Sequence, residues 1–291
     1  MLRETASRTA AAVCLMRAYE DARPEGSALL SDHYAHWFLG TAERAAVAAV
    51  RWMPDVVPYA EWVSDGLVRF VVARHRYMDD ALLRARSRGV EQFVILGAGY
   101  DMRAYRFADD LAGGTVFEVD HPATARKKAR VLAARADELP AADVVRVEVD
   151  FARESFRPAL AAAGHRESEP TFFIWEGVSM YLSRADVEGT LATVGSMCPP
   201  KSEIVLDLWY PPAGGDPLSA MRRWSAGLLA FVGEPITFGL RPDEAAEFFR
   251  SLGFRLRELA DADLLRARFY TPATHLYPTN YVVHAVRRAT R

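Results

Sequence analysis

Cysteine is scarce in this chain of 291 residues: there are two, Cys14 and Cys198, far apart in sequence. Such a pair makes neither a disulfide framework nor a metal-ligand spacing, and it suits a reducing compartment. Also missing is any run of about 18 uncharged apolar residues, the least that a membrane-spanning helix needs. Charge of one sign is not in excess either. A formal net charge of −2 leaves no electrostatic footprint for nucleic acid or an anionic membrane. The alanine-rich N-terminus carries Arg3, Glu4 and Arg8 in place of a long apolar core, so no secretory leader is read there and a cytoplasmic location is expected. What remains is an ordinary globular composition, 51% hydrophobic and 25% charged, large enough to build a core without staples.

The texture of the chain changes near residue 91. Before it no strand is evident. The segments 10–23 and 42–53 are rich in alanine with apolar residues at helical spacing, and 62–87 reads as a helix stopped by Gly89. After it, short apolar runs at 92–97, 115–120, 144–149, 171–175, 203–209, 254–259 and 280–287 read as strands, and 122–136, 153–163, 184–197 and 242–252 as helices. This alternation predicts an α/β fold with a mostly parallel sheet. The chain thus divides into a helical N-terminal segment, 1–90, and a core, 91–291, with an insertion at about 210–240 that opens on PPAGGDP after the fifth strand. The segment and the insertion are candidate lids over the carboxyl ends of the strands, where such sheets bind ligands. The alternative is that both simply cover a face of the sheet.

Four strand ends carry the chemistry. The first, QFVILGAGYDM, runs into Gly97, Ala98 and Gly99, residues that let a backbone turn tightly beside a ligand. A dinucleotide fold wants a third glycine where Met102 stands, and a phosphate loop wants Gly-Lys-Ser/Thr, so a ligand without phosphates fits better. The second strand ends at Asp120, 21 residues past Gly99. There a carboxylate can accept from both hydroxyls of a ribose, or cap the helix that opens at Pro122. Together they imply an adenosine ligand, S-adenosylmethionine. Asp150 and Phe151 follow the third strand, able to meet and cover an adenine, although Asp150 could equally cap a helix. Glu176 follows Phe-Phe-Ile-Trp at the end of the fourth. A charge beside buried strands needs a partner: the cationic end of the ligand, or an arginine on a helix. The substitution Asp120→Ala is expected to abolish cofactor binding and leave folding intact.

These motifs, with RHRYMDDAL (74–82), VFEVDHPA (116–123) and WEGVSMYL (175–182), resemble the leucine carboxyl methyltransferase-like branch of S-adenosylmethionine-dependent methyltransferases. The resemblance covers roughly residues 65–290, the first 60 more loosely. It implies a Rossmann-like sheet of seven strands, with 280–287 antiparallel, and a helical extension in front. It implies that Arg74 reaches the methionine carboxylate, that Gly97 contacts the cofactor, Asp120 the ribose, Asp150 and Phe151 the adenine, and Glu176 the methionine amino group. The front departs from the family at His33. His33 and His36 lack a carboxylate or third ligand nearby, so no metal is expected.

No catalytic residue is assigned. Tyr34, Trp37, Tyr181 and Tyr210 are candidates to line an acceptor pocket, with His36 and His121 as further candidates for a base. The expected partner is a small-molecule acceptor methylated on a carboxylate or hydroxyl, a natural-product tailoring reaction. The rivals are a methyltransferase-like binding module and a nicotinamide oxidoreductase. A monomer and a homodimer are both compatible with the sequence.

Overall fold

The protein is described from a computed structural model covering residues 8–24, 27–50, 66–151, 153–211, 223 and 235–289. Most of the insertion expected at about 210–240, and the ends of two helices expected at 51–53 and 62–65, lie outside the described residues.

Seven strands form one sheet: β1 (Gln92–Leu96), β2 (Thr115–Asp120), β3 (Val144–Glu148), β4 (Thr171–Trp175), β5 (Glu203–Trp209), β6 (Phe254–Ala260) and β7 (Asn280–Arg287). Their order is β3-β2-β1-β4-β5-β7-β6. Strands β1 to β5 pair in parallel, and β7 runs antiparallel to both β5 and β6. Every residue of β1, β4 and β5 is buried. A sheet covered on both faces leaves no position for a polar residue to alternate into, which is why these strands read as unbroken apolar runs.

The helices are α1 (Arg8–Asp21), α2 (Thr41–Val50), α3 (Leu67–Ser87), α4 (Arg103–Arg106), α5 (Pro122–Ala133), α6 (Phe156–Ala162), α7 (Arg184–Met197), α8 (Pro242–Ser251) and α9 (Ala262–Phe269). Short 3₁₀ turns occupy Ala35–Phe38, Ala136–Glu138 and Ser179–Tyr181. Local chemistry sets the ends. A capping box of Ser183 and Asp186 starts α7, and Pro122 opens α5. Helix α9 was not anticipated, because ADLLRARF is short and carries three charges in eight residues; the Asp261 side chain caps it by accepting from Leu264 N–H. No helix among the described residues is long and apolar enough to cross a membrane.

Alternate residues of β1 feed two cores. Phe93 and Ile95 face α1, α3, α9 and the Ala35–Phe38 turn, whereas Val94 and Leu96 face α6, α7 and α8. The N-terminal helices therefore cover one face of the sheet. Strand β1 has β2 on one side and β4 on the other, so the chain leaves it in opposite directions. The crevice at the carboxyl ends of β1 and β4 is where such sheets take ligands.

Candidate functional site

Two glycine turns border that crevice, Gly97-Ala98-Gly99 after β1 and Glu176-Gly177-Val178 after β4. Gly97, Gly99 and Gly177 have φ of +66°, +51° and +68°, a region that favours glycine. A Cβ on Gly97 would lie 2.6 Å from Val178 Cγ2, so the space this glycine leaves open is filled by Val178. A Cβ on Gly99 would meet Ala10 of α1 at 3.5 Å. The amides of the first turn are all committed. Gly97 and Ala98 N–H both donate to Val119 O, at 2.8 and 3.1 Å, and Gly99 N–H donates to Asp120 Oδ2 at 2.6 Å. None of the three is left to cradle a phosphate.

Asp120 accepts a second backbone bond, from His121 N–H to Oδ1 at 2.7 Å. It does not cap α5. His121 does, its Nδ1 accepting from Ala123 N–H at 3.2 Å. Burial raises the Asp120 pKa above the usual carboxylate range, against the two backbone bonds that lower it. Each carboxylate oxygen holds one amide and keeps further acceptor capacity. Because the side chain also secures Gly99, the expectation that Asp120→Ala leaves folding untouched is corrected: removal orphans two backbone donors.

Asp150 lies beside Arg153, Nε to Oδ2 3.3 Å. It is not the cap of α6, a position taken by Ser155. Phe151 is half-buried, 6.2 Å from the ring of Phe156. Since Glu148 of β3 is in register with Asp120 of β2, Asp150 and Phe151 follow a strand end adjacent to Asp120.

Arg74 and Glu176 are in direct contact. Arg74 Nε donates to Glu176 Oε1 at 3.0 Å, and its Nη1 donates to Asp207 Oδ2 at 2.6 Å. Its Nη2 is buried and has no hydrogen-bond partner among the described residues. That nitrogen is 3.6 Å from where a Cβ of Gly177 would stand. Glu176 is held by more than Arg74: Arg103 Nη2 donates to Oε2 at 2.8 Å, and His75 Nδ1 lies 3.0 Å from the same oxygen. Burial opposes its charge, yet the hydrogen bond from His75 and the charges of Arg103 and Arg74 hold its carboxyl well below the usual range. The arginine partnership is thus observed, and neither Glu176 oxygen is bare towards a ligand ammonium.

Around this pair is a buried ionic cluster that the sequence reading missed. Arg103 Nε donates to Asp79 Oδ1 at 2.6 Å and its Nη1 donates to Asp101. Arg106 Nη2 donates to Asp79 Oδ2 at 2.8 Å, and Asp207 Oδ1 accepts from Gly177 N–H at 2.6 Å. Lys128 donates to the Asp101 carbonyl and to Glu118. One signal was available: Asp207 sits inside EIVLDLW, and an acid in a buried strand demands a partner.

The four aromatic candidates do not assemble. Tyr34 and Trp37 are buried in the first core, their rings edge to face at 4.9 Å, with Arg135 over Trp37. Tyr210 packs against the second core, and Tyr181 is half-buried in the turn after β4. A cleft of about 980 Å³ opens elsewhere, lined among others by Ser31, Asp79 and Arg106, and none of the sequence-predicted site residues lines it. Among the described residues no group of three or more His, Cys, Asp or Glu is placed to hold a metal.

Comparison with known proteins bears on the fold and the family. Two solved structures share the fold: a DUF574 family protein of Streptomyces avermitilis, 19% identical, TM-score 0.58, covering 94% of this chain and 97% of that one, and a protein of Thermobifida fusca provisionally titled a methyltransferase, 15% identical, TM-score 0.57, covering 94% of each. In sequence, a Rhodococcus jostii protein provisionally named an S-adenosyl-L-methionine-dependent methyltransferase is 35% identical over 204 residues, 68% of this chain and 64% of that protein. A Streptomyces coelicolor protein of the same provisional name is 37% identical over 228 residues, 74% of this chain and 76% of its own length. The chain spans about half to two thirds of the length of several of these relatives, 49% in the case of one from Mycobacterium avium. The family model for leucine carboxyl methyltransferase matches residues 10–195, well over half of the sequence. The chain belongs to the leucine carboxyl methyltransferase family.

Proposed function

We propose that this protein binds S-adenosylmethionine in the crevice between β1 and β4 and transfers a methyl group to an oxygen of a small, partly apolar acceptor. The observation that carries the reading is Arg74 Nη2, a buried cationic donor without a hydrogen-bond partner among the described residues, at the place where open α/β sheets take their ligands. A guanidinium with a free terminal nitrogen suits a carboxylate, here that of the methionine end. Asp120 at the tip of β2 offers carboxylate oxygens to a ribose diol. The committed amides of the glycine turn argue against the pyrophosphate of a dinucleotide. Asp150 and Phe151 follow the neighbouring strand end, where the adenine would lie. The names of the sequence relatives point the same way.

The bound cofactor supplies a methyl carbon already activated by positive sulfur, and the protein supplies position, orientation and exclusion of water. An alcohol acceptor usually calls for a base. His121 is engaged in capping α5, and His75 is buried beneath Glu176. An acceptor carboxylate is ionised at neutral pH and needs no base, so the arrangement favours a carboxylate over a hydroxyl.

Calorimetric titration with S-adenosylmethionine and S-adenosylhomocysteine, with NAD as control, tests the cofactor. Micromolar binding of the first two and not the third is expected. Binding of NAD alone, or of none, overturns the reading. An acceptor screen read by mass spectrometry then tests the transfer, and methylation confined to nitrogen or to a protein C-terminus would refute the acceptor class. Cofactor binding with no transfer across carboxylate and hydroxyl libraries would mark a binding module.

A further inference from the structure

We infer that His75 is a positioning residue for the amino-acid end of the ligand: its neutral ring steadies Glu176 against Arg74 and links that pair to the N-terminal segment. The inference rests on the cofactor reading above. His75 follows Arg74 on α3 and is 1% exposed. Its Nε2 lies 3.0 Å from Arg106 Nη1, and its Nδ1 lies 3.0 Å from Glu176 Oε2. A guanidinium can only donate. Both ring nitrogens face donor-only guanidinium nitrogens, but only Nδ1 also has a carboxylate oxygen, Glu176 Oε2, within hydrogen-bond distance, Asp79 Oδ1 being 3.8 Å from Nε2; the proton is therefore assigned to Nδ1, which donates to Glu176. Arg103 Nη2, 2.7 Å from the same Nδ1, has its own acceptors in Glu176 Oε2 at 2.8 Å and the His75 carbonyl at 3.2 Å. A second ring proton would set one donor against another at Arg106.

The groups facing the ring are Asp79 from α3, Arg103 and Arg106 from α4, Asp101 from the turn after β1, and Glu176 from the turn after β4. Their geometry favours the Nδ1–H tautomer, the one that gives the ring proton a carboxylate acceptor. On the ligand side, His75 and Arg103 hold Glu176 Oε2, which aims Oε1 at Arg74 Nε and leaves Nη2 free. On the other side, Arg106 Nε donates to Ser31 O at 2.7 Å. The N-terminal segment is thus joined to the site through Ser31, Arg106, His75, Glu176 and Arg74, and the cleft lined by Ser31, Asp79 and Arg106 flanks this line.

The test compares S-adenosylhomocysteine with 5′-methylthioadenosine, which lacks the amino-acid end, on the wild type, His75→Leu and His75→Asn. The Leu variant removes the donor to Glu176 and keeps an apolar body of similar bulk. The Asn variant presents an amide N–H near the position of Nδ1–H. We expect His75→Leu to weaken S-adenosylhomocysteine about tenfold, the fold-change of one weakened hydrogen bond to a charged group, with methylthioadenosine unchanged. His75→Asn should recover most of that loss. Equal weakening of both ligands, or no weakening of S-adenosylhomocysteine, overturns the inference. So does an imidazole ¹⁵N spectrum that places the proton on Nε2. A wild type that binds methylthioadenosine but gains nothing from the amino-acid end refutes the inference together with the Arg74–carboxylate contact it rests on, whereas a wild-type gain that persists undiminished in the His75 variants refutes the inference alone. One that binds neither ligand refutes the cofactor reading and the inference with it.

Discussion

Removing the Asp120 carboxylate separates two roles that sequence alone confuses. Its Oδ2 accepts from Gly99 N–H at 2.6 Å and its Oδ1 accepts from His121 N–H at 2.7 Å. In Asp120→Asn the amide has one oxygen, so its NH₂ must face one of these donors. One backbone N–H is then unsatisfied, at a cost of about 1–3 kcal/mol in stability. Asp120→Ala orphans both, for about 2–4 kcal/mol once water reaches the site. The ligand cost adds to this. Two ribose hydroxyls donating to a carboxylate contribute about 1.5 kcal/mol each at the low end, so loss of both weakens binding by at least about 100-fold. Asn retains at most one acceptor and should lose about tenfold or more. The assays are urea unfolding and calorimetric titration with S-adenosylhomocysteine on the same preparations. A lower unfolding midpoint with affinity within about twofold of wild type, less than one weakened hydrogen bond, would make Asp120 a brace for the turn and refute its ribose role. An unchanged midpoint would refute the two backbone bonds.

Other outcomes follow from the same geometry. Burial raises the Asp120 pKa above its ordinary 3.8; if the carboxylate form binds the ribose, S-adenosylhomocysteine affinity falls on acidification sooner than for an ordinary aspartate, and the Asn variant, measured by calorimetry across pH, lacks that component. Asp79 is held down at about 2, Arg106 and Arg103 prevailing over burial. A depressed carboxyl contributes stability that is present above its unfolded value of 3.8 and is lost as pH falls towards 2; acid unfolding followed by circular dichroism should show this loss, displaced to higher pH in Arg106→Met. Arg103→Met leaves Asp101 without its guanidinium and removes a donor from Glu176 and Asp79, so urea unfolding should show a loss of about 3–5 kcal/mol, and a loss below about 1 kcal/mol would contradict the cluster. Gly97→Ala adds a Cβ 2.6 Å from Val178 Cγ2 at φ +66° and should cost about 2 kcal/mol or more; the double variant with Val178→Ala should recover the steric part only, as read by unfolding midpoints.

The sheet was legible in the sequence because burial on both faces writes itself as unbroken apolar runs: QFVIL, TFFIW and EIVLDLW became β1, β4 and β5. The strand-end acids were legible for a related reason, since a charge at the limit of such a run stands out. What each acid touches was not. Asp120 meets Gly99 across 21 residues, Glu176 meets Arg74 across 102, and Asp207 meets Arg74 across 133. No periodicity encodes contacts of that range. Arg103 and Lys128 are of residue types that usually lie on the surface, and nothing in their local sequence marks them, yet each is 1% exposed. Gly97 was read as a place for a ligand to approach, and in the structure its missing side chain makes room for Val178.

The donors of the buried arginines separate struts from a binding group. Buried ion pairs are weak stabilisers, and apolar residues of similar volume often serve stability as well. A cluster this dense needs a reason other than stability. In Arg103 every guanidinium nitrogen is engaged, with Asp79, Asp101, Glu176 and the His75 carbonyl. Such a residue can hold geometry but has nothing to offer a ligand. Arg17 donates through Nη2 to the Tyr100 carbonyl, its Nη1 is ion-paired with Asp32 at 2.9 Å, and its inner Nε has no hydrogen-bond partner among the described residues. Among the described residues Arg74 instead keeps a terminal Nη2 without a hydrogen-bond partner while Nε and Nη1 are tied down. Two fixed nitrogens orient the third, so its ordering cost falls on folding and not on the ligand. On this argument the cluster of aspartates, arginines and His75 is the mount for one donor, and the mount is conspicuous because a guanidinium must be held on several sides before one of its nitrogens can point reliably at a carboxylate.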